Sequence, residues 1–197
     1  MILRIVEFLV KVFCRVIFRI EISGMENIPE NGACMVCANH QSNWDPVILI
    51  LFLKRKVHFM AKSELFENFF LNKLLTSEGV IPIKRGAADI QAIKSSMEVL
   101  KNGEVLGMFP TGTRTKQMNG ADAKKGAALI ASRTGANVVP IYINASYKPF
   151  SKIKINIGKC MDLTELKGKK LTAEELEVLS GDIYGEIKKL AGDTKNV

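Results

Sequence analysis

No glycine-rich phosphate loop follows any apolar run in this 197-residue chain, so nothing supports a kinase or a dinucleotide-dependent dehydrogenase. No serine or cysteine sits in a recognisable nucleophile elbow. The cysteines are Cys14, Cys34, Cys37 and Cys160, and they form no disulfide framework, which fits a reducing cytosol. Cys34 and Cys37 make a CxxC, but it lies inside an apolar strand with no second pair. Packing explains it better than zinc or redox chemistry, and no metal site is expected. Arginine-rich runs and basic patches interleaved with aromatics are also missing, which counts against a nucleic-acid partner. There is no internal repeat and no low-complexity segment. Histidine is scarce: His40 and His58 are the two in the chain.

What is present points elsewhere. The length suits one domain plus an appendage, and 47% hydrophobic residues suffice for a full core. A net charge of +8 calls for an anionic partner: a membrane surface, a phosphorylated substrate or an acidic protein. Residues 1–20 are apolar except for Arg4, Glu7, Lys11, Arg15 and Arg19, which recur every three or four positions. At about 100° per residue they share one stripe of a helix, opposite a wide arc of Ile2, Leu3, Ile5, Val6, Phe8, Leu9, Val12, Phe13, Val16, Ile17 and Ile20. A spanning helix would carry that stripe into hydrocarbon, at about 2.5–3.5 kcal/mol for a central Arg or Lys. No uninterrupted apolar core or good cleavage site marks a signal peptide. The pattern predicts a helix lying in a membrane interface, with its charges toward phosphates. A helix packed on the domain is the alternative, and both can hold at once. The division expected is therefore an anchoring helix over 1–20 and a domain over 21–197.

From there strands and helices alternate. Strands are expected over Ile20–Ile22, Ala33–Ala38, Val57–Ala61, around Ile81, over Val105–Phe109 and over Val138–Ile143. Ile153, Ile155 and Ile157 alternate with polar residues as in an edge strand. Helices are expected from Asp45 through Leu53, from Ser63 through Leu75 with its phenylalanines in the core, from about Ala87 to Leu100, from Asp122 to Ala131, and from the capping box Thr172-Ala173-Glu174-Glu175. Residues 116–121 read as a mobile loop and 191–197 as a frayed end. The class is α/β: a single domain with a mixed, largely parallel central sheet flanked by helices, plus the N-terminal amphipathic helix.

The stretch Asn39-His40-Gln41-Ser42-Asn43-Trp44-Asp45-Pro46 joins the first central strand to a helix. Asp45 followed by Pro46 reads as an N-cap and a first helical position. A tight connection brings the Asp45 carboxylate to one imidazole nitrogen of His40 and leaves the other as a base. A capping aspartate beside an ordinary loop histidine is the plainer reading. His58, within a strand, reads as structural. His40, Lys62, Arg85 and Arg114 all follow separate expected strands, where open α/β sheets bind ligands. Lys124 and Lys125 open a helix against its dipole, a weak sign that they face an anion. A base among cations suits deprotonating a hydroxyl on a phosphate-bearing substrate.

At these residues the chain resembles the glycerolipid acyltransferases, the 1-acylglycerol-3-phosphate acyltransferases in particular. His40 to Asp45 matches the first family motif, Asn-His-x4-Asp. Gly79 to Arg85 resembles the second, Phe109 to Arg114 the third, and Val138-Val139-Pro140-Ile141 the fourth. The resemblance implies transfer of a fatty acyl group from coenzyme A or acyl carrier protein to the sn-2 hydroxyl of lysophosphatidate, with no cofactor beyond that thioester co-substrate. Other acceptors, such as glycerol 3-phosphate or another lyso-lipid, are the variant reading. It implies His40 as general base, Asp45 as its orienting carboxylate, and Lys62, Arg85, Thr111, Gly112, Thr113 and Arg114 around the acceptor. It also implies membrane lipids as partners and the cytoplasmic face of a membrane, peripheral or monotopic, as the location. One departure stands out: Thr111 occupies the place of the third motif's glutamate. Altered acceptor choice, or a catalytically weakened lipid-binding relative, follows from that.

Overall fold

The computed structural model describes residues 2–84, 89–114 and 123–193. Arg85, the 116–121 loop and the expected Asp122 cap lie outside them. Among the described residues, seven strands form one sheet: β1 (Arg19–Ser23), β2 (Cys34–Ala38), β3 (Val57–Lys62), β4 (Ile81–Ile83), β5 (Val105–Met108), β6 (Asn137–Ala145) and β7 (Lys152–Ile157). The helices are α1 (Ile2–Ile17), α2 (Trp44–Phe52), α3 (Phe69–Ser77), α4 (Ile90–Lys101), α5 (Gly126–Thr134) and α6 (Ala173–Asp193). The spatial order is β1-β7-β6-β2-β5-β3-β4. Every pairing is parallel except β6 with β7. The expected α/β class with a mixed, largely parallel sheet is what the chain adopts.

The connections assign the helices to faces. α2 and α3 cross toward β4, whereas α4 and α5 cross back toward β6, and right-handed crossovers put the two directions on opposite sides of the sheet. Two cores result. Cys14 and Phe18 at the end of α1 pack with Ile48 and Leu49 of α2 and Val36, Val139 and Ile153 of the sheet. Leu106, Ile130, Ile183, Tyr184 and Ile187 fill the other side with α4, α5 and α6. The central strand β2 is buried at every position, as a strand covered on both faces must be.

Several expectations are corrected. β7 is an interior strand, because β1 pairs along its free side. Its alternation of isoleucine with Lys152, Lys154 and Asn156 reflects one open face, and Lys152 meets Glu21 at 2.7 Å there. The helix expected from Ser63 is a 3₁₀ turn, Ser63–Phe66, then a new start at α3. Asn68 causes the break: its side chain accepts the Phe70 and Leu71 amides and caps α3. Phe69 and Phe70 are exposed and Phe66 is half-buried, so none of the three is core. α5 runs on to Thr134 before Gly135 ends it, and α6 continues to Asp193. The Thr172 capping box forms as read, with reciprocal bonds to Glu175 of 2.7 and 3.2 Å.

α1 ends at Ile17, and Arg19 and Ile20 already belong to β1. The helix has three sectors. Leu3, Val10, Cys14 and Ile17 turn inward; the charged stripe runs along one flank, where Lys11 and Arg15 sit over the Phe52 ring. Ile5, Phe8, Leu9, Val12, Phe13 and Val16 face outward, exposed. No helix among the described residues is long and apolar enough to cross a membrane.

Candidate active site

β2, β5, β3 and β4 are parallel neighbours, so their carboxyl ends share one edge of the sheet. His40 follows β2, Phe109–Arg114 follow β5, and Lys62 ends β3. Successive strands stand about 5 Å apart, which sets the spacing of these groups along the edge. His58, second in β3, lies near the opposite edge, where its Nδ1 donates to the Gly79 carbonyl at 2.9 Å.

Asn39 fixes the departure from β2. Its side-chain amide donates to the Ile143 carbonyl at 2.9 Å and accepts the Ile143 amide at 2.7 Å, so it continues the β2–β6 ladder after the main chain has left it. The following turn puts His40 Nδ1 2.9 Å from Asp45 Oδ2. A carboxylate can only accept, so the imidazole donates Nδ1–H and keeps Nε2 as its acceptor. Asp45 is fully buried and His40 nearly so. Asp45 is not the N-cap: α2 begins one residue earlier, at Trp44, after Asn43. Instead of capping forward, its Oδ2 accepts the amides of Gln41 at 2.6 Å and Ser42 at 2.7 Å, and so tightens the loop that carries His40.

A further partner was not legible in the sequence. Tyr147, just beyond β6, donates its hydroxyl to Asp45 Oδ1 at 2.5 Å. Burial first, then the Asp45 charge, pushes the Tyr147 phenol far above its ordinary range, so it stays a neutral donor. Its backbone has φ +54°, unusual for a bulky residue. Phe18 packs edge-on to both Tyr147 and Trp44, at 6.0 and 6.2 Å, which links the end of α1 to the Asp45 turn. The other wall is aromatic. Phe109 stacks on His40 with centroids 4.1 Å apart, and Phe59 stacks behind it at 5.3 Å. Gly107 makes room for this pile, since a Cβ there would fall 2.4 Å from the Phe59 ring.

The turn after β5 is held by Thr111, buried, whose hydroxyl donates to the Thr113 carbonyl at 2.7 Å. Gly112 adopts φ +67°, a conformation glycine takes without strain. Thr113 and Arg114 are exposed, and Arg114 and Lys62 make no ion pair among the described residues. The Lys124 side chain lies against Gly112, adding a cation to this turn, while Lys125 meets Glu177 of α6 at 3.2 Å and so faces a carboxylate of the protein itself. The thiols of the CxxC are inert: burial raises Cys34 to about 11 and Cys37 to about 12.

Comparison with known proteins gives a consistent picture. The family model described as Acyltransferase matches residues 19–144. The chain is 31% identical over 175 residues to a 1-acyl-sn-glycerol-3-phosphate acyltransferase of Bacillus subtilis, covering 82% of this chain and 84% of that protein. It is 34% identical over 134 residues to a chloroplastic 1-acyl-sn-glycerol-3-phosphate acyltransferase of Brassica napus, covering 66% of this chain. This match spans 39% of the length of that chloroplast protein. The crystal structure of a 1-acyl-sn-glycerophosphate acyltransferase from Thermotoga maritima superposes with a TM-score of 0.75 at 25% identity, covering 98% of this chain and 79% of that one.

Proposed function

The chain belongs to the acyltransferase family, and from that we propose that it moves a fatty acyl group from a thioester to the free sn-2 hydroxyl of a 1-acylglycerol 3-phosphate, giving phosphatidic acid. The observation that carries the mechanism is the His40–Asp45 contact at the carboxyl edge of the sheet. His40 Nε2 takes the proton of the acceptor hydroxyl as its oxygen attacks the thioester carbonyl. The negative charge of Asp45 favours the imidazolium that forms. When the tetrahedral adduct collapses and the carbon–sulfur bond breaks, His40 returns the proton to the departing thiolate. No acyl-enzyme and no cofactor are needed. Lys62, Arg85, Arg114 and Lys124, with the Thr111–Thr113 turn, are the groups we assign to the acceptor's phosphate. The donor is an acyl-coenzyme A or acyl carrier protein, both anionic, which suits a chain of charge +8.

We place the protein on the cytoplasmic face of a membrane, held peripherally by α1. The outward arc of α1 supports this: six large apolar side chains, Ile5, Phe8, Leu9, Val12, Phe13 and Val16, stand exposed along it.

Thioester release with lysophosphatidate as acceptor is the test. His40→Ala is expected to lower turnover by at least about 10²-fold, the usual worth of a general base, while vesicle binding is unchanged. Full turnover by that variant ends the mechanism. The second reading, a weakened lipid-binding relative, is favoured by Thr111 standing where the family carries glutamate. It predicts weak thiol release by the unaltered chain that rises in Thr111→Glu, and no rise in that variant counts against it.

A further inference from the structure

α3 is an apolar helix that buries none of its residues completely. Phe69 and Phe70, its first two, are 72% and 79% exposed, and their rings meet each other edge-on at 5.6 Å. Leu71 beside them and Leu65 in the preceding 3₁₀ turn are exposed as well, and the apolar residues that reach half-burial are Phe66 of the turn and Leu74 and Leu75 of α3. Water alone gives no reason to hold two adjacent phenylalanines at the tip of a short helix.

The position of this tip selects its occupant. The 3₁₀ turn Ser63–Phe66 leaves β3 directly after Lys62 and packs on β3 and β4, at the edge that carries His40. α1, α2 and α3 cover the same face of the sheet. α1 runs toward this edge and brings Val12, Phe13 and Val16, and α2 starts there with Trp44, 37% exposed. Three helices therefore present aromatic and aliphatic side chains around the mouth of one site. The charges near the tip balance, Lys62, Lys73 and Lys84 against Glu64, Glu67 and Asp89, so nothing there selects an acidic protein. What the tip shares with the outward arc of α1 is apolarity alone.

We propose that Leu65, Phe69, Phe70 and Leu71 form a second lipid-insertion site, separate in sequence from α1, so that the protein sits on a bilayer through two points with the His40 edge between them. This rests on α1 being lipid-facing and on a membrane-borne acceptor. It deepens that reading: an acceptor can then pass from the leaflet to His40 without its chain crossing water.

Trp44 is the one tryptophan, so the contact can be read site by site. In a Trp44→Phe background, Phe13→Trp reports on α1 and Phe70→Trp on the tip. Vesicles of phosphatidylcholine and phosphatidylglycerol with brominated acyl chains are expected to blue-shift and quench both. Quenching of Phe13→Trp without Phe70→Trp overturns the second site and leaves the first standing; quenching of neither overturns both. This readout needs no turnover, so it fails independently of the acyl-transfer reaction. The paired change Phe69→Ser with Phe70→Ser should lower turnover of a vesicle-borne acceptor about tenfold or more, as expected for two lost aromatic contacts. Turnover of a short-chain, monodisperse acceptor should stay within about twofold, the scatter of a neutral surface change. An equal fall on both acceptors overturns the proposal, as does a vesicle-free dimer that the paired change dissolves.

Discussion

Four donors converge on the Asp45 carboxylate: the imidazole of His40, the amides of Gln41 and Ser42, and the hydroxyl of Tyr147. Three of them lie within five residues, which is why the His40–Asp45 pair was legible as a local motif. Tyr147 is 102 positions away, and only the parallel alignment of β6 beside β2 brings it there. No spacing rule reports such a contact. The positive φ at Tyr147 shows that the surrounding fold holds it in place against a local preference. We assign it a positioning role. The titratable groups around it are Asp45, His40 and Cys14. Tyr147→Phe keeps the ring against Phe18 and removes one donor, leaving more negative charge facing the imidazole. The carboxylate then holds the imidazole with one restraint fewer, and kcat should fall about tenfold, the worth of one hydrogen bond to a charged group, with KM for the acceptor little changed. A variant with unchanged kcat would reduce Tyr147 to packing.

α1 shows how far periodicity carries at the level of an element. Its charged stripe and wide apolar arc were plain in the sequence, but the arc divides between two tasks that a helical wheel does not separate. Leu3, Val10, Cys14 and Ile17 meet the domain, whereas Phe8 and Leu9 stand exposed on the outward side. The helix at Ser63 failed differently, because apolar spacing ran through Asn68 as though it were an ordinary helical residue. Its carboxamide competes for the amides of Phe70 and Leu71 and restarts the helix. Edge status for β7 rested on alternation alone, which reports an open face and not an open side. The division within α1 is open to test. Phe8→Ser with Leu9→Ser should change folding stability by less than about 0.5 kcal/mol, as exposed sites do. The same pair should weaken vesicle partition about tenfold or more, since both side chains lose their apolar contact with lipid. Phe18→Ala, in the core, should cost about 3–5 kcal/mol of stability. Urea unfolding and vesicle co-sedimentation of the same variants separate the two sectors, and a large loss of stability from the Phe8 and Leu9 pair would show that the outward arc packs on protein.

The alternation of apolar runs was enough to give the α/β class, and with it the rule that ligands gather at strand ends. The order of strands was not readable, because β5 enters between β2 and β3 through crossovers whose handedness lies in the backbone, not in any residue pattern. That order puts Lys62 and the Thr111–Arg114 turn on the same sheet edge as His40 and puts α1, α2 and α3 on one side. The whole molecule is thus polarised: an apolar rim around one edge, carried by a chain of charge +8 with Arg4, Lys11 and Arg15 beside the outward arc of α1. Two forces should then hold it on a membrane, and salt distinguishes them. Each Lys or Arg near an anionic surface contributes about 1 kcal/mol, within a reach of about 8 Å at physiological ionic strength. Apolar insertion is not screened. Partition onto phosphatidylglycerol-containing vesicles should fall steeply as salt rises to about 1 M, where the screening length shrinks to about 3 Å. It should then level off at the value measured on pure phosphatidylcholine. A plateau above zero on the neutral vesicles measures the contribution of the apolar rim alone. Complete release at high salt would assign all of the attachment to charge, and the exposed arc of α1 would then need a protein partner to account for it.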